Sequence, residues 1–241
     1  MDLRIAHLYP DLMSTYGDRG NVLALKWRAR WRGIDVEVRP YTAGTAFDAD
    51  WPDLWFFGGG QDQGQDIVGR DLAGPNGAAL RGSLERGAAA LAICGGYQLL
   101  GHEYVPERAP AIPGLGVLDV RTLAGRTRFV GNLVADTPDG PLVGFENHSG
   151  RTYLGPAAKP LGTVLVGRGN NGEDKSEGAV QGRIVATYSH GSCLPKNPWL
   201  ADRLLTWALE LRHGPVTLSP LDDREELAAR DQATAVARAR P

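Results

Sequence analysis

The sequence predicts an α/β fold: a mostly parallel central sheet with helices on both faces and additional antiparallel strands. Three observations carry this expectation. Two short apolar runs, residues 53–57 and 90–93, read as strands buried on both faces. Segments with helical spacing precede such runs. The second run ends on Cys94, followed by Gly95, Gly96 and a short amphipathic stretch, which is the pattern of a strand, a sharp turn and a helix.

Taken in order, residues 3–8 read as a first strand. Residues 19–31 have helical spacing, with Val22, Leu23, Leu25, Lys26 and Trp27 placed to form an apolar face, and Gly33 closes the helix. Residues 34–38 alternate as a strand does. The Asp53-Leu-Trp-Phe-Phe strand runs into Gly58-Gly59-Gly60. Residues 77–90 read as a helix leading into the cysteine strand. From residue 114 to 188 the pattern changes. Short pieces (116–120, 127–135, 142–145, 163–167 and 183–188), separated by Gly, Pro and Asn, read as the antiparallel strands beside the parallel core. Residues 198–212 form a helix in which Trp199, Leu200, Leu204, Leu205, Trp207, Ala208 and Leu211 share a broad face. The rest, after Leu221, is charged and alanine-rich and reads as a frayed helix. The expected division is one domain over residues 1–214 and a tail over 215–241.

A chain of 241 residues with 42% hydrophobic side chains can bury a substantial core. The formal charge of −2 argues against a nucleic-acid surface, and no polybasic run argues for a membrane. No stretch approaches the length of an apolar membrane span and the N-terminus lacks an apolar signal region, so the expectation is a cytoplasmic protein with no integral membrane segment. The two cysteines, Cys94 and Cys193, suffice for neither a disulfide framework nor a cysteine-rich zinc centre, and no metal site is expected.

Cys94 is the candidate nucleophile. A strand–turn–helix places its sulfur on an exposed corner, where the first N–H groups of the helix favour thiolate over thiol. In open α/β sheets ligands bind beyond the carboxyl ends of strands. The glycine loop after the Trp-Phe-Phe strand and residues 186–191, which carry His190, converge there. Backbone N–H groups of Gly60 and Gly95, with Gly59 as the alternate, suit an oxyanion hole. A Cys–His pair suits acyl transfer, the imidazole taking the thiol proton and returning it to a leaving amine. His7, His102 and His213 read as structural, and His148 is the rival to His190. Cys193 lacks an elbow and reads as a bystander.

Cys94-Gly95-Gly96-Tyr97-Gln98 resembles the C-x-G-x-Q elbow of class I glutamine amidotransferases, and His190 matches the position of their base. That resemblance implies a flavodoxin-like fold, L-glutamine as substrate, a thioester intermediate and ammonia handed to a partner site. A Glu usually stands two residues after the histidine; here Ser192 does, a departure that resembles the cobyric acid synthase branch. The third triad member stays open: a dyad, a backbone carbonyl or an acidic group of the partner. Within the branch, residues 145–152, 169–175 and 190–198 look like the amidotransferase subunits of lipid II isoglutaminyl synthases. This likeness implies a heterodimer with a Mur-ligase-like subunit that binds ATP and Mg and handles lipid II, with no cofactor in this chain. In agreement, the sequence holds no G-x-x-x-x-G-K-[ST] loop. The same resemblance makes Arg128 the glutamine-binding arginine, a role its guanidinium fork suits, and has Gln98 hold the substrate or the elbow. Residues 145–150 read as structural or as part of the partner interface. Two alternatives keep some of these features: amidation of a corrinoid, and a cysteine hydrolase of the peptidase or deglycase type. The latter carry histidine directly after the cysteine, where this chain has Gly95.

Overall fold

Two six-stranded sheets organise the chain in the computed structural model. Residues 1–191 and 193–239 are described; Ser192, in the motif after His190, and the last two residues of the predicted tail lie outside them. The first part of the chain runs β1 (Asp2–Leu8), α1 (Arg19–Arg30), β2 (Asp35–Tyr41), β3 (Leu54–Phe57), α2 (Asp62–Leu72), α3 (Pro75–Glu85), β4 (Ala89–Ile93) and α4 (Gly95–Leu100). The middle holds β5 (Glu103–Val105), β6 (Ile112–Pro113), β7 (Val120–Asp136), β8 (Leu142–Leu154), β9 (Gly162–Val166), β10 (Ser176–Glu177), β11 (Ala179–Gln181) and β12 (Ile184–Thr187). The helices α5 (Cys193–Lys196), α6 (Pro198–His213) and α7 (Arg224–Ala239) close it.

The central sheet has the order β11-β12-β4-β3-β1-β2, parallel except for β11. Its inner strands are continuous apolar runs: every residue of β3, β4 and β12 is buried. Such strands need cover on both faces. Helix α6 supplies part of it by packing Leu200, Ala201, Leu204, Leu205, Ala208 and Leu209 inward across β1, β3 and β4. Trp55, fully buried in β3, satisfies its indole N–H on Ser83 Oγ at 2.9 Å. Among the described residues no helix is long and apolar enough to cross a membrane.

The structure revises several local expectations. Most of the middle strands do not extend the central sheet but form a second sheet, built on the long antiparallel β7–β8 pair. Residues 116–119 are not a strand, and pairing begins at Val120. The predicted helix over 77–90 ends at Glu85, because Ala89 and Ala90 already pair with β3. In α1 the buried set is Asn21, Val22, Leu25, Arg28 and Ala29, while Leu23 and Trp27 face solvent. An i, i+3, i+7 stripe places residues 23 and 27 on another side of the helix. Arg28 is tolerated inside because its guanidinium donates to the carboxylates of Asp202 on α6 and Asp223 before α7. Residues 224–239 of the tail form α7, which packs on α5, β7 and β8 and buries Ala237 against Val134 and Val143.

Candidate active site

The carboxyl ends of β1, β3, β4 and β12 deliver four segments to one place. Cys94 sits between β4 and α4 with φ 48° and ψ −101°. A non-glycine residue in that region costs about 1–3 kcal/mol and persists only where its surroundings impose it. Here Cys94 N–H donates to Thr187 O on β12 at 2.9 Å, and Gln98 N–H donates to Cys94 O at 3.0 Å. Of the glycines that follow, Gly96 has no room for a side chain, since backbone crowds it, whereas Gly95 meets mainly the movable end of Gln65. A Cβ on Gly95 would lie 2.7 Å from Gln65 Nε2, and one on Gly96 would lie 2.6 Å from Phe57 O. The strand–turn–helix expected from the sequence is therefore present, but the corner is not exposed: Cys94 is buried, 7% exposed.

His190 follows β12 and is 1% exposed. Its backbone pairs with Phe145 of β8, and its ring packs against those of Phe145 and Tyr16, which also meet each other edge-on. The structure also identifies what orients it: Nδ1 lies 3.3 Å from Asp18 Oδ1. Asp18 is fully buried at the start of α1, and its side chain makes no helix-capping bond. Instead Oδ2 accepts the Gly59 N–H at 2.7 Å. A carboxylate only accepts, so the His190 proton belongs on Nδ1 and Nε2 is left for the sulfur. Nε2 is buried and has no hydrogen-bond partner. Burial alone pushes this imidazole down; Asp18 and Cys94 outweigh it and raise His190 to about 10. The arrangement suits a thiolate–imidazolium pair.

Gly59 fills the space between the two groups. A Cβ there would lie 2.8 Å from His190 Cε1 and 3.2 Å from Cys94 Cβ. Gly59→Ala is accordingly expected to displace the imidazole and lower the turnover of this site about 100-fold. Overpacking would cost about 1–3 kcal/mol of stability. Steady-state kinetics beside a thermal melt check both numbers. Because the Gly59 N–H is committed to Asp18, it is removed as the alternate oxyanion donor. Gly60 N lies 3.0 Å from the Cβ position of Gly95, so the backbone segments of both oxyanion candidates meet beside Cys94.

A cleft of about 450 Å³ opens over the sulfur, lined by Cys94, Gln98, Gly60, Gln65, Arg128 and His148 among others. A larger groove of about 680 Å³ between Trp31 and residues 221–228 holds none of these groups, so the chemistry points to the smaller one. Arg128 reaches the cleft because β7 bulges: Ala124 faces Gly150 and Phe129 faces His148, which leaves residues 125–128 out of register. Its Nε and Nη2 donate to Asn147 Oδ1 and O, and Asn147 Nδ2 donates to Tyr16 Oη. The guanidinium end is thus presented to the cleft rim. Gln98 is buried on α4; Nε2 donates to Tyr188 Oη at 3.0 Å, while Oε1 has no partner.

Asp18, Tyr16 and Gln65 were not expected from the sequence. An aspartate before a helix reads as a cap, and nothing local indicates a partner 172 residues away. Glu177, also unforeseen, shapes the approach to His190: its buried Oε1 accepts Thr187 Oγ1 and the Tyr188 N–H. Burial raises its carboxyl to about 7.

Residues 4–198 match the CobB/CobQ-like glutamine amidotransferase domain. The chain is 43% identical over 215 residues to the lipid II isoglutaminyl synthase (glutamine-hydrolyzing) subunit GatD of Streptococcus pneumoniae, covering 88% of this chain and 82% of that protein. Against the subunit of the same name from Staphylococcus aureus, identity is 38% over 230 residues, covering 95% and 93%. A cobyric acid synthase of Pelotomaculum thermopropionicum is 34% identical over 88% of this chain, but only 41% of that protein is matched. Among solved structures, PurLQS from Thermotoga maritima superposes with a TM-score of 0.57 at 16% identity, covering 87% of this chain and 96% of that one. A glutamine amidotransferase crystal structure gives 0.54 at 18%, covering 86% and 97%. These two likenesses support the fold.

Proposed function

The chain belongs to the CobB/CobQ-like glutamine amidotransferase family, and from that premise we propose that it is the subunit that hydrolyses L-glutamine and supplies ammonia for amidation of lipid II. One observation carries the chemistry: the buried His190 ring stands between the Asp18 carboxylate and the Cys94 elbow. The Cys94 thiolate attacks the side-chain amide carbon of glutamine. The N–H groups of Gly60 and Gly95 stabilise the oxyanion. His190 Nε2–H protonates the leaving nitrogen, ammonia departs, and a thioester remains on Cys94. His190, now neutral, removes a proton from water, which attacks the thioester; glutamate and the thiolate–imidazolium pair are regenerated.

Arg128 is assigned to the α-carboxylate of glutamine. With Nε and one Nη2 hydrogen held by Asn147, the fork meets a carboxylate end-on through Nη1 and Nη2. Arg128→Ala should raise the KM for glutamine about 10- to 100-fold with kcat largely kept, the loss expected of a charge-assisted hydrogen bond made equally before and during reaction. An unchanged KM would remove Arg128 from the site.

The acceptor reading rests on the relatives. Both GatD subunits match this chain along most of their length, whereas the cobyric acid synthase is mostly unmatched. The proposed partner is a Mur-ligase-like subunit in a heterodimer. It binds ATP and Mg and activates the α-carboxyl of D-glutamate in lipid II, and ammonia from this chain converts it to D-isoglutamine. Co-purification of such a subunit, with ATP-dependent and glutamine-dependent amidation by the pair, tests this. Amidation of a corrinoid instead would overturn it.

A further inference from the structure

His148 is a buried imidazole beside the cleft that the proposed reaction leaves unused. It lies on β8 opposite Phe129, the residue after Arg128, and is 2% exposed. Its ring lies flat on Tyr188, with centroids 3.5 Å apart and planes at 7°. Tyr188 is fixed in turn, its Oη accepting from Gln98 Nε2 and sharing a 2.7 Å bond with Thr152 Oγ1. The imidazole plane is therefore held on the scaffold that carries the elbow helix.

Its protons are equally constrained. Nδ1 lies 2.9 Å from Gly150 O, and a carbonyl only accepts, so Nδ1 carries the hydrogen. Burial holds His148 below its ordinary value, with Arg151 adding to the effect and Glu146 and Gly150 opposing it. The ring is neutral, and Nε2 is a bare lone pair. That atom is buried and has no partner. Glu146 Oε2, at 3.8 Å, is too distant for a hydrogen bond and is itself an acceptor, already taking the Gly169 N–H while Oε1 takes that of Arg168. A buried acceptor left unmade is costly. The group that suits a neutral lone pair backed by a carboxylate is a positively charged nitrogen. In the same cleft, Arg128 sits on the neighbouring strand.

We propose that His148 Nε2 accepts a hydrogen bond from the α-ammonium of the bound amino acid while Arg128 holds its α-carboxylate, so that the two sides of the β7–β8 bulge read both charges of the zwitterion. This rests on the glutaminase reading above and adds a specificity determinant to it. His148 contacts the substrate away from the reacting amide and takes no part in proton transfer.

The test uses the full chain, with its ligase subunit if turnover requires it, and two substrates: L-glutamine and glutaramate, which is glutamine without the α-amino group. His148→Phe keeps a flat ring against Tyr188 and removes the Nε2 acceptor together with the Nδ1–H that Gly150 O accepts. Its kcat/KM for L-glutamine should fall about 10- to 100-fold, chiefly through KM, as for a lost charge-assisted bond. Its kcat/KM for glutaramate should stay within about twofold of the wild type. Equal losses on both substrates would mark a structural role, and no loss on either would mark none; both overturn the proposal. If the Phe variant fails to fold, the wild type alone decides: a preference for L-glutamine over glutaramate of at least about 10-fold is required, and similar efficiencies overturn the proposal. A wild type that turns over neither substrate removes the glutaminase reading and this proposal together, whereas one that turns over both alike removes only the proposal.

Discussion

Cys94→Ala should abolish glutamate release from L-glutamine, lowering the rate on the order of 10⁴- to 10⁶-fold, the scale seen when a covalent nucleophile is removed from an acting unit. The sulfur is the atom that bonds the amide carbon, and among the described residues no second cysteine lines the cleft. Cys193 is buried in α5, where burial pushes its thiol up to about 11, and it does not line the cleft. Alanine is smaller than cysteine and occupies a corner already held by the Thr187 and Gln98 backbone bonds, so the variant should fold. His190 loses one of the two groups that raise it and titrates lower as a result. With the proposed partner, ATP and acceptor present, added ammonium should still support amidation, because ammonia enters downstream of Cys94. Two assays check this: glutamate release, and amidation with glutamine or with ammonium. Glutamate release at the wild-type rate would remove Cys94 from the chemistry.

The elbow was legible because its signal is local: a buried strand, a cysteine and two glycines lie within a few residues, and the strain at Cys94 follows from them. The triple glycine and His190 were legible for a related reason, since each follows a strand of one parallel sheet, whose carboxyl ends converge. Arg128 differs. Its segment reads as an ordinary strand, and only a bulge that breaks the β7–β8 register turns the guanidinium to the cleft, so its placement was available through family resemblance alone. The antiparallel strands of the middle were legible, but not their full length or their grouping into a separate sheet, because glycine, arginine and asparagine interrupt the alternation along β7 and β8. Helix α2 was missed because Ile67, Val68 and Leu72 are its only large apolar residues. Asp18 was beyond reach for a stronger reason. Its partners, His190 and Gly59, meet it only once β1, β3 and β12 are assembled, and no short-range pattern encodes that meeting.

Asp18→Asn should reduce kcat for glutamine hydrolysis about 10²- to 10⁴-fold while leaving KM nearly unchanged, as replacement of an orienting carboxylate by its amide does in other triads. Asp18 lies behind the His190 ring and does not line the cleft, so substrate binding is not its task. The asparagine is isosteric, and its Oδ1 can keep the Gly59 N–H. Its amide nitrogen then faces His190 Nδ1 and can only donate. Nδ1 must accept, the ring proton moves to Nε2, and the base no longer has a lone pair for the sulfur's proton or for the attacking water. The pH dependence separates this from a packing defect. In the wild type the Asp18 carboxylate and Cys94 outweigh burial and raise His190 to about 10, so the imidazolium that protonates the leaving nitrogen survives through the neutral range. Losing the carboxylate stabilises the cation less, the folded-state value falls, and activity declines at lower pH on the alkaline side. Measured pH–rate profiles should therefore show the alkaline limb of Asp18→Asn displaced toward neutrality. A variant that lost kcat with an unmoved limb would show that Asp18 supports the structure around His190 without setting its charge.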